Sequence, residues 1–286
     1  MTFTPFRYLH FAKTEMGGPR HELSLSGVTE RTEEELGAHA AVPRGVRHQD
    51  GAALRLAVRE RLAARYGVPL PHVATALGTS GAVFDTLAAV STLHPERRTV
   101  LVESPVYDVF GSVARLLGLE VRTFERPRAA RWRVESEHLA PALDASVLVV
   151  CVTDLHNPTG MHLSDTERDA LLAAADRVGA WTLVDEVYRD FAPGDVGTAH
   201  TAGERVVAVS SLTKVYGVAG PRCGFVFAPP AVIERIDLVS EITCGVPPST
   251  GYGAMLRGLE QADAIVAAAR RNARRGAAVV DAWVAG

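Results

Sequence analysis

Apolar residues recur along this chain in two alternating rhythms. Short runs rich in β-branched residues, at 99–102, 147–152, 181–184, 206–209 and 223–227, predict strands. Helical spacing fills the stretches between them. From Gly51 the recurrence of Leu54, Val58, Leu62 and Tyr66 predicts a helix that stops at Gly67 and Pro69. Ser164 and Glu167 predict a capping box ahead of Leu171, Leu172 and Ala175. Strands this apolar, interleaved with helices, imply a mostly parallel sheet covered on both faces. The predicted fold is therefore a doubly wound, three-layer α/β/α architecture, with its ligand at the carboxyl ends of the strands. Pro5, the Gly17-Gly18-Pro19 turn and the acidic run Glu33 to Glu35 predict an extended arm with at most short helices over residues 1–50. A large α/β domain follows over 51–260, and residues 261–286 begin a long helical stretch, Ala262 to Val284. No internal repeat interrupts this order.

Composition narrows the class. Across 286 residues, 47% hydrophobic and 22% charged content places the chain among soluble globular proteins. A formal net charge of −3 supplies no global field for nucleic acid or an anionic membrane. Arg270, Arg271, Arg274 and Arg275 read as a solvated helix face or a contact for a further domain. Cys151, Cys223 and Cys244 are far apart and lack CxxC spacing, and the ten histidines are scattered, so neither a disulfide framework nor a metal site is predicted. A reducing cytoplasm suits such cysteine usage. The N-terminal region lacks the continuous apolar core of a signal peptide, and no later run is long enough to span a bilayer.

Chemistry concentrates just past the predicted strand ends. The stretch 206–227 carries Ser211, Thr213, Lys214 and Arg222 on a loop loosened by Gly217, Gly220 and Gly224. Hydroxyls and an arginine there suit a phosphate, and a lysine amine beside phosphate suggests pyridoxal phosphate, whose aldehyde forms a Schiff base with such an amine. Leu77-Gly78-Thr79-Ser80 opens a helical stretch whose free amides and hydroxyls can complete the anion cup. Asp185 can keep a pyridinium nitrogen protonated, Tyr188 and Asn157 can hydrogen-bond a phenolate oxygen, and Tyr107 offers an aromatic face for stacking. Taken singly, each has a plainer reading. Asp185 is a strand-end cap, Asn157-Pro158-Thr159-Gly160 a turn and Tyr107 a packing residue. In residues 78–82 the second glycine of a hydrolase elbow is displaced to Gly81 with no supporting triad, and 217–224 does not fit GxGxxG.

Together, Asn157-Pro158-Thr159-Gly160, Asp185-Glu186-Val187-Tyr188 and Ser211-Leu212-Thr213-Lys214 with Arg222 resemble the pyridoxal-phosphate enzymes of the aspartate aminotransferase fold, particularly the class I and II aminotransferases. The resemblance covers about residues 20 to 286. It implies that Lys214 forms the Schiff base and moves the Cα proton, that Asp185 pairs with the pyridine nitrogen, and that Asn157 and Tyr188 bind the ring oxygen. It further implies that Tyr107 stacks on the ring, that Thr79, Ser80, Ser211 and Arg222 hold the phosphate, and that Gly27 marks an arm segment meeting substrate. The expected reaction moves an amino group between an amino acid and a 2-oxo acid. A lyase, decarboxylase or racemase on the same scaffold, and a non-catalytic protein that binds the cofactor, remain alternatives.

Two departures accompany the resemblance. Where the family commonly places a tyrosine that reaches the neighbouring subunit's phosphate in a homodimer, this chain reads Arg47-His48-Gln49-Asp50, so Arg47 or His48 becomes the candidate contact. The family also usually continues into a small domain bearing the arginine that grips the substrate carboxylate. Its absence after Gly286 predicts a truncated chain with impaired activity, unless Arg20 or Arg44 takes that role.

Overall fold

A computed structural model describes residues 7–15, 25–37, 48–192, 194, 197–245 and 249–285. Seven strands form one sheet: β1 (Val73–Leu77), β2 (Thr99–Ser104), β3 (Glu120–Glu125), β4 (Val147–Thr153), β5 (Trp181–Asp185), β6 (Val206–Ser211) and β7 (Cys223–Phe227). The helices are α1 (Arg7–Thr14), α2 (Glu33–Leu36), α3 (His48–Tyr66), α4 (Gly78–Leu93), α5 (Val109–Leu116), α6 (Ser136–Leu139), α7 (Asp165–Arg177), α8 (Pro230–Cys244), α9 (Ser249–Glu260) and α10 (Ala262–Ala285). The sheet order is β1-β7-β6-β5-β4-β2-β3. Pairing is parallel from β3 through β6 and antiparallel on both sides of β7. Because β7 is antiparallel to both its neighbours, β1 runs in the same direction as β6. The carboxyl ends of β1, β2, β4, β5 and β6, and the amino end of β7, therefore share one edge.

Every residue of β4 and β5 is buried, as expected of central parallel strands covered on both faces. Alternate side chains enter opposite layers. On β7, Phe225 and Phe227 pack with Val58 and Leu62 of α3, Leu256 of α9 and Ile265 of α10, whereas Val226 faces α4 and α8 through Val83, Leu87 and Ile236. The α7 helix covers the same face as α3 farther along the sheet, where Leu171 and Ala175 meet Leu101, Val150 and Val152. Its start is fixed as predicted, since Ser164 accepts from the Glu167 amide and the Glu167 side chain accepts from the Ser164 amide.

Two strands escape a search for apolar runs. Edge strand β3 buries only Phe124 among its six residues, so its sequence looks like solvated surface. On β1, small and polar Ala74, Thr75 and Ala76 interrupt the apolar signal. In the terminal basic stripe, Arg271, Arg274 and Arg275 are exposed, whereas Arg270 Nε donates to the Asp190 carbonyl at 2.7 Å. Among the described residues, no helix is long and apolar enough to cross a membrane.

Two leucines of α3 test this packing. Leu62 is fully buried and Leu56 is 47% exposed. In urea denaturation, Leu62→Ala is expected to cost about 2–5 kcal/mol, and Leu56→Ala to stay within about 0.5 kcal/mol. Equal losses would contradict the placement of α3.

Candidate functional site

The shared sheet edge opens into a cavity of about 350 Å³. Thr79, Ser80, Tyr107, Asn157, Asp185, Tyr188, Ser211, Thr213, Lys214 and Arg222 all line it. They arrive from separate connections. Thr79 and Ser80 open α4 after β1, Tyr107 follows β2, Asn157 follows β4, Asp185 ends β5, and Ser211 to Lys214 leave β6. Gly78 lies behind this lining. Its φ of +70° favours glycine, and a Cβ on Gly224 would sit 2.5 Å from the Gly78 carbonyl, so both positions suit glycine where the two segments meet.

On one side of the cavity the donors suit an anion. Thr79 Oγ1 donates to Ser211 Oγ at 3.0 Å, and the Thr213 amide donates to the same oxygen at 3.3 Å. Thr213, Arg222 and the first turn of α4 line the cavity with them. Hydroxyls, a guanidinium and the free amides that open a helix make a donor set that fits the phosphate end of pyridoxal phosphate.

Asp185 and Lys214 line the same cavity. Asp185 Oδ1 accepts from the Val187 amide at 2.9 Å. Burial pushes its carboxyl up to about 7, against the pull of that amide and of Lys214. Burial and the Arg222 charge lower the Lys214 ammonium from its ordinary value, partly offset by Asp185. Burial also pushes the Tyr188 hydroxyl up to about 12. That hydroxyl donates to the Ser26 carbonyl at 2.7 Å, and Lys214 Nζ donates to Ser26 Oγ at 2.6 Å. Tyr107 packs edge-on against Tyr8, with ring centroids 5.7 Å apart.

Beneath the lining lies a buried polar cluster. Glu103 accepts from Arg126 at 2.7 Å and from the amide and hydroxyl of Thr153 at 2.6 and 2.8 Å. Thr153 Oγ1 in turn accepts from the Asn157 amide at 3.0 Å, which fixes the start of the Asn157 turn.

Tyr8, Leu9, Ser26 and Thr153 also line the cavity and are absent from the sequence-based candidates. Thr153, as the last residue of a strand, carries a positional signal. Ser26 adjoins Gly27, which packs on the Lys214 backbone: a Cβ on Gly27 would be 3.4 Å from Lys214 Cα. Arg20, Arg44 and Arg47 lie outside the described residues, as does the side chain of His48.

A family model described as aminotransferase class I and II matches residues 40–281. An aspartate aminotransferase of Thermococcus kodakarensis is 29% identical over 216 residues, 75% of this chain and 55% of that protein. A histidinol-phosphate aminotransferase of Yersinia pseudotuberculosis is 30% identical over 194 residues, covering 68% and 48%. The chain thus spans about half the length of these relatives. In fold it is similar to a PLP-dependent aminotransferase from Streptococcus suis, with a TM-score of 0.85 at 22% identity over 99% of this chain and 78% of that one.

The raised carboxyls set a pH dependence. Glu186, also buried, is pushed up to about 8 by desolvation. An unfolded carboxyl titrates at about 4, so the folded chain holds these protons to higher pH. Their stabilisation is full below the unfolded value and is lost as pH rises through about 7 to 8. The urea midpoint of the cofactor-free chain is expected to fall between about pH 5 and pH 8, and Asp185→Asn with Glu186→Gln should make that fall shallower, the remainder coming from Asp85 and Glu103, which burial also raises to about 7. A midpoint that rises across this window would contradict the burial of these groups.

Proposed function

Because the chain belongs to the class I and II aminotransferase family, we propose that it binds pyridoxal phosphate through Lys214 and moves an amino group between an amino acid and a 2-oxo acid. The observation that carries this reading is that Lys214 and the buried Asp185 line one cavity together with the anion donors Thr79, Ser80, Ser211, Thr213 and Arg222.

When bound, the cofactor supplies an aldehyde for amines and an electron-withdrawing ring. The residues supply the rest. Asp185 would supply the carboxylate that pairs with a protonated ring nitrogen, and Tyr107 would present an aromatic face to the ring. Asn157 would offer a hydrogen bond to the ring oxygen, and Tyr188 would join it by exchanging its bond to the Ser26 carbonyl for one to that oxygen. The lowered ammonium of Lys214 increases its neutral fraction, which suits an amine that must accept and return a proton. The enclosing Tyr8, Leu9 and Val106 limit water around that amine.

This reading includes a homodimer in a reducing cytoplasm. Buried free thiols at Cys151 and Cys223 support the compartment, and exposed Leu77, Leu238 and Ile242 on β1 and α8 support self-association. Sedimentation is expected to give a dimer, and a monomer that binds cofactor tightly would contradict the assembly.

The chain has two lysines, Lys13 and Lys214, which makes the chemistry simple to map. Borohydride reduction in the presence of pyridoxal phosphate is expected to add cofactor mass at Lys214 and not at exposed Lys13. Amino transfer from a panel of amino acids to 2-oxoglutarate should accompany it, and Asp185→Asn should slow transfer by about two to three orders of magnitude while retaining the adduct. Loss of carbon dioxide without amino transfer would favour a decarboxylase, and an adduct confined to Lys13 would overturn the site.

A further inference from the structure

Residues 25–31 lie alongside the lysine loop rather than standing free of it. The Val28 amide donates to the Lys214 carbonyl at 3.1 Å, and the Arg31 amide donates to the Gly217 carbonyl at 2.8 Å. Arg31 Nε adds a bond to the Tyr216 carbonyl at 3.1 Å. Gly217 permits this approach, since a Cβ there would come within 2.6 Å of the Thr29 carbonyl and its φ of +69° already favours glycine. Tyr188 holds the same segment from the other side through the Ser26 carbonyl. With its main chain fixed on both sides, Ser26 places its hydroxyl 2.6 Å from Lys214 Nζ.

We propose that Ser26 is a further catalytic residue, whose hydroxyl accepts a hydrogen bond from the Lys214 amine, orients it and favours its protonated form. The proposal rests on Lys214 being the reacting amine. A lysine side chain has a flexible four-carbon stem, and a single fixed acceptor at its tip selects among the rotamers that stem can adopt. In the neutral amine, one N–H directed at Ser26 leaves the lone pair pointing away from the arm. In the ammonium form the same contact is charge-assisted and stronger, so Ser26 favours the proton-bearing state.

The other titratable groups lining the cavity with this amine come from four parts of the chain. Asp185 and Tyr188 belong to the end of β5 and the turn after it, Arg222 precedes β7, Tyr107 and Asp108 follow β2, and Tyr8 lies on α1. Of these, Arg222 opposes the positive charge and Asp185 favours it. Ser26 Oγ, by contrast, lies within hydrogen-bond distance of Nζ itself.

The test uses the full chain without cofactor. Acetylation by acetic anhydride, followed by mass spectrometry, reads the reactivity of Lys214 against pH, with exposed Lys13 as the internal reference. Ser26→Ala is expected to move the Lys214 inflection lower by about half a unit to one unit, roughly a three- to tenfold gain in reactivity below the inflection. Ser26→Cys, close in size but a weak acceptor, should behave like the alanine variant, and Ser26→Thr should restore the original inflection. Near-ultraviolet circular dichroism identifies any variant that fails to fold, in which case the remaining variants decide. An inflection that is unchanged or rises in the folded variants overturns the proposal. Because the readout needs no cofactor, its failure is separate from failure of the Lys214 adduct: an adduct with no inflection shift removes Ser26 alone, and a shift with no adduct removes the aminotransferase reading.

Discussion

The register between β5 and β6 is the constraint on which the site depends. It sets Asp185 opposite Val209, two residues before the strand leaves the sheet at Ser211 and five before Lys214. A slip of one residue would turn Asp185 to the other face of the sheet and separate the carboxyl from the amine. Complete burial of both strands makes such a slip costly, because it would exchange the residues of two packed layers. The apolar strands therefore do more than fill the core: their packing holds the Asp185 carboxyl and the Lys214 amine in one cavity.

Around that axis, buried polar contacts tie the loops together. Asp190 accepts from the hydroxyls of Tyr216 and Tyr66 and, through its carbonyl, from Arg270. It lies two residues past Tyr188, as Tyr216 lies two past Lys214. Both loops are thus joined to α3 and α10 through one residue. On the other side, Glu103 and Arg126 support Thr153, and Thr153 supports the Asn157 turn. Such groups are buried with their partners because a lone buried charge is costly.

Much of the site is legible in the sequence because its residues follow central strands, whose apolar runs announce where they end. Lys214, Asp185 and Asn157 stand out in this way. Ser26 does not, because its role comes from a contact across 188 residues of sequence, and no local pattern marks which part of an arm will lie on a distant loop. Tyr8 is hidden for the same reason. Edge strand β3 escapes because half-solvated strands need few apolar residues, and the Glu103–Arg126 pair because two charged residues in sequence give no sign that they will be buried.

The most direct measurement is an electron-density map of the chain crystallised with pyridoxal phosphate. Density is expected to be continuous with Lys214 Nζ, with a phosphate among Thr79, Ser211, Thr213 and Arg222 and a ring nitrogen within hydrogen-bond distance of Asp185. A cofactor bound elsewhere, or bound here with its phosphate toward Asp185, would contradict this assignment of the site.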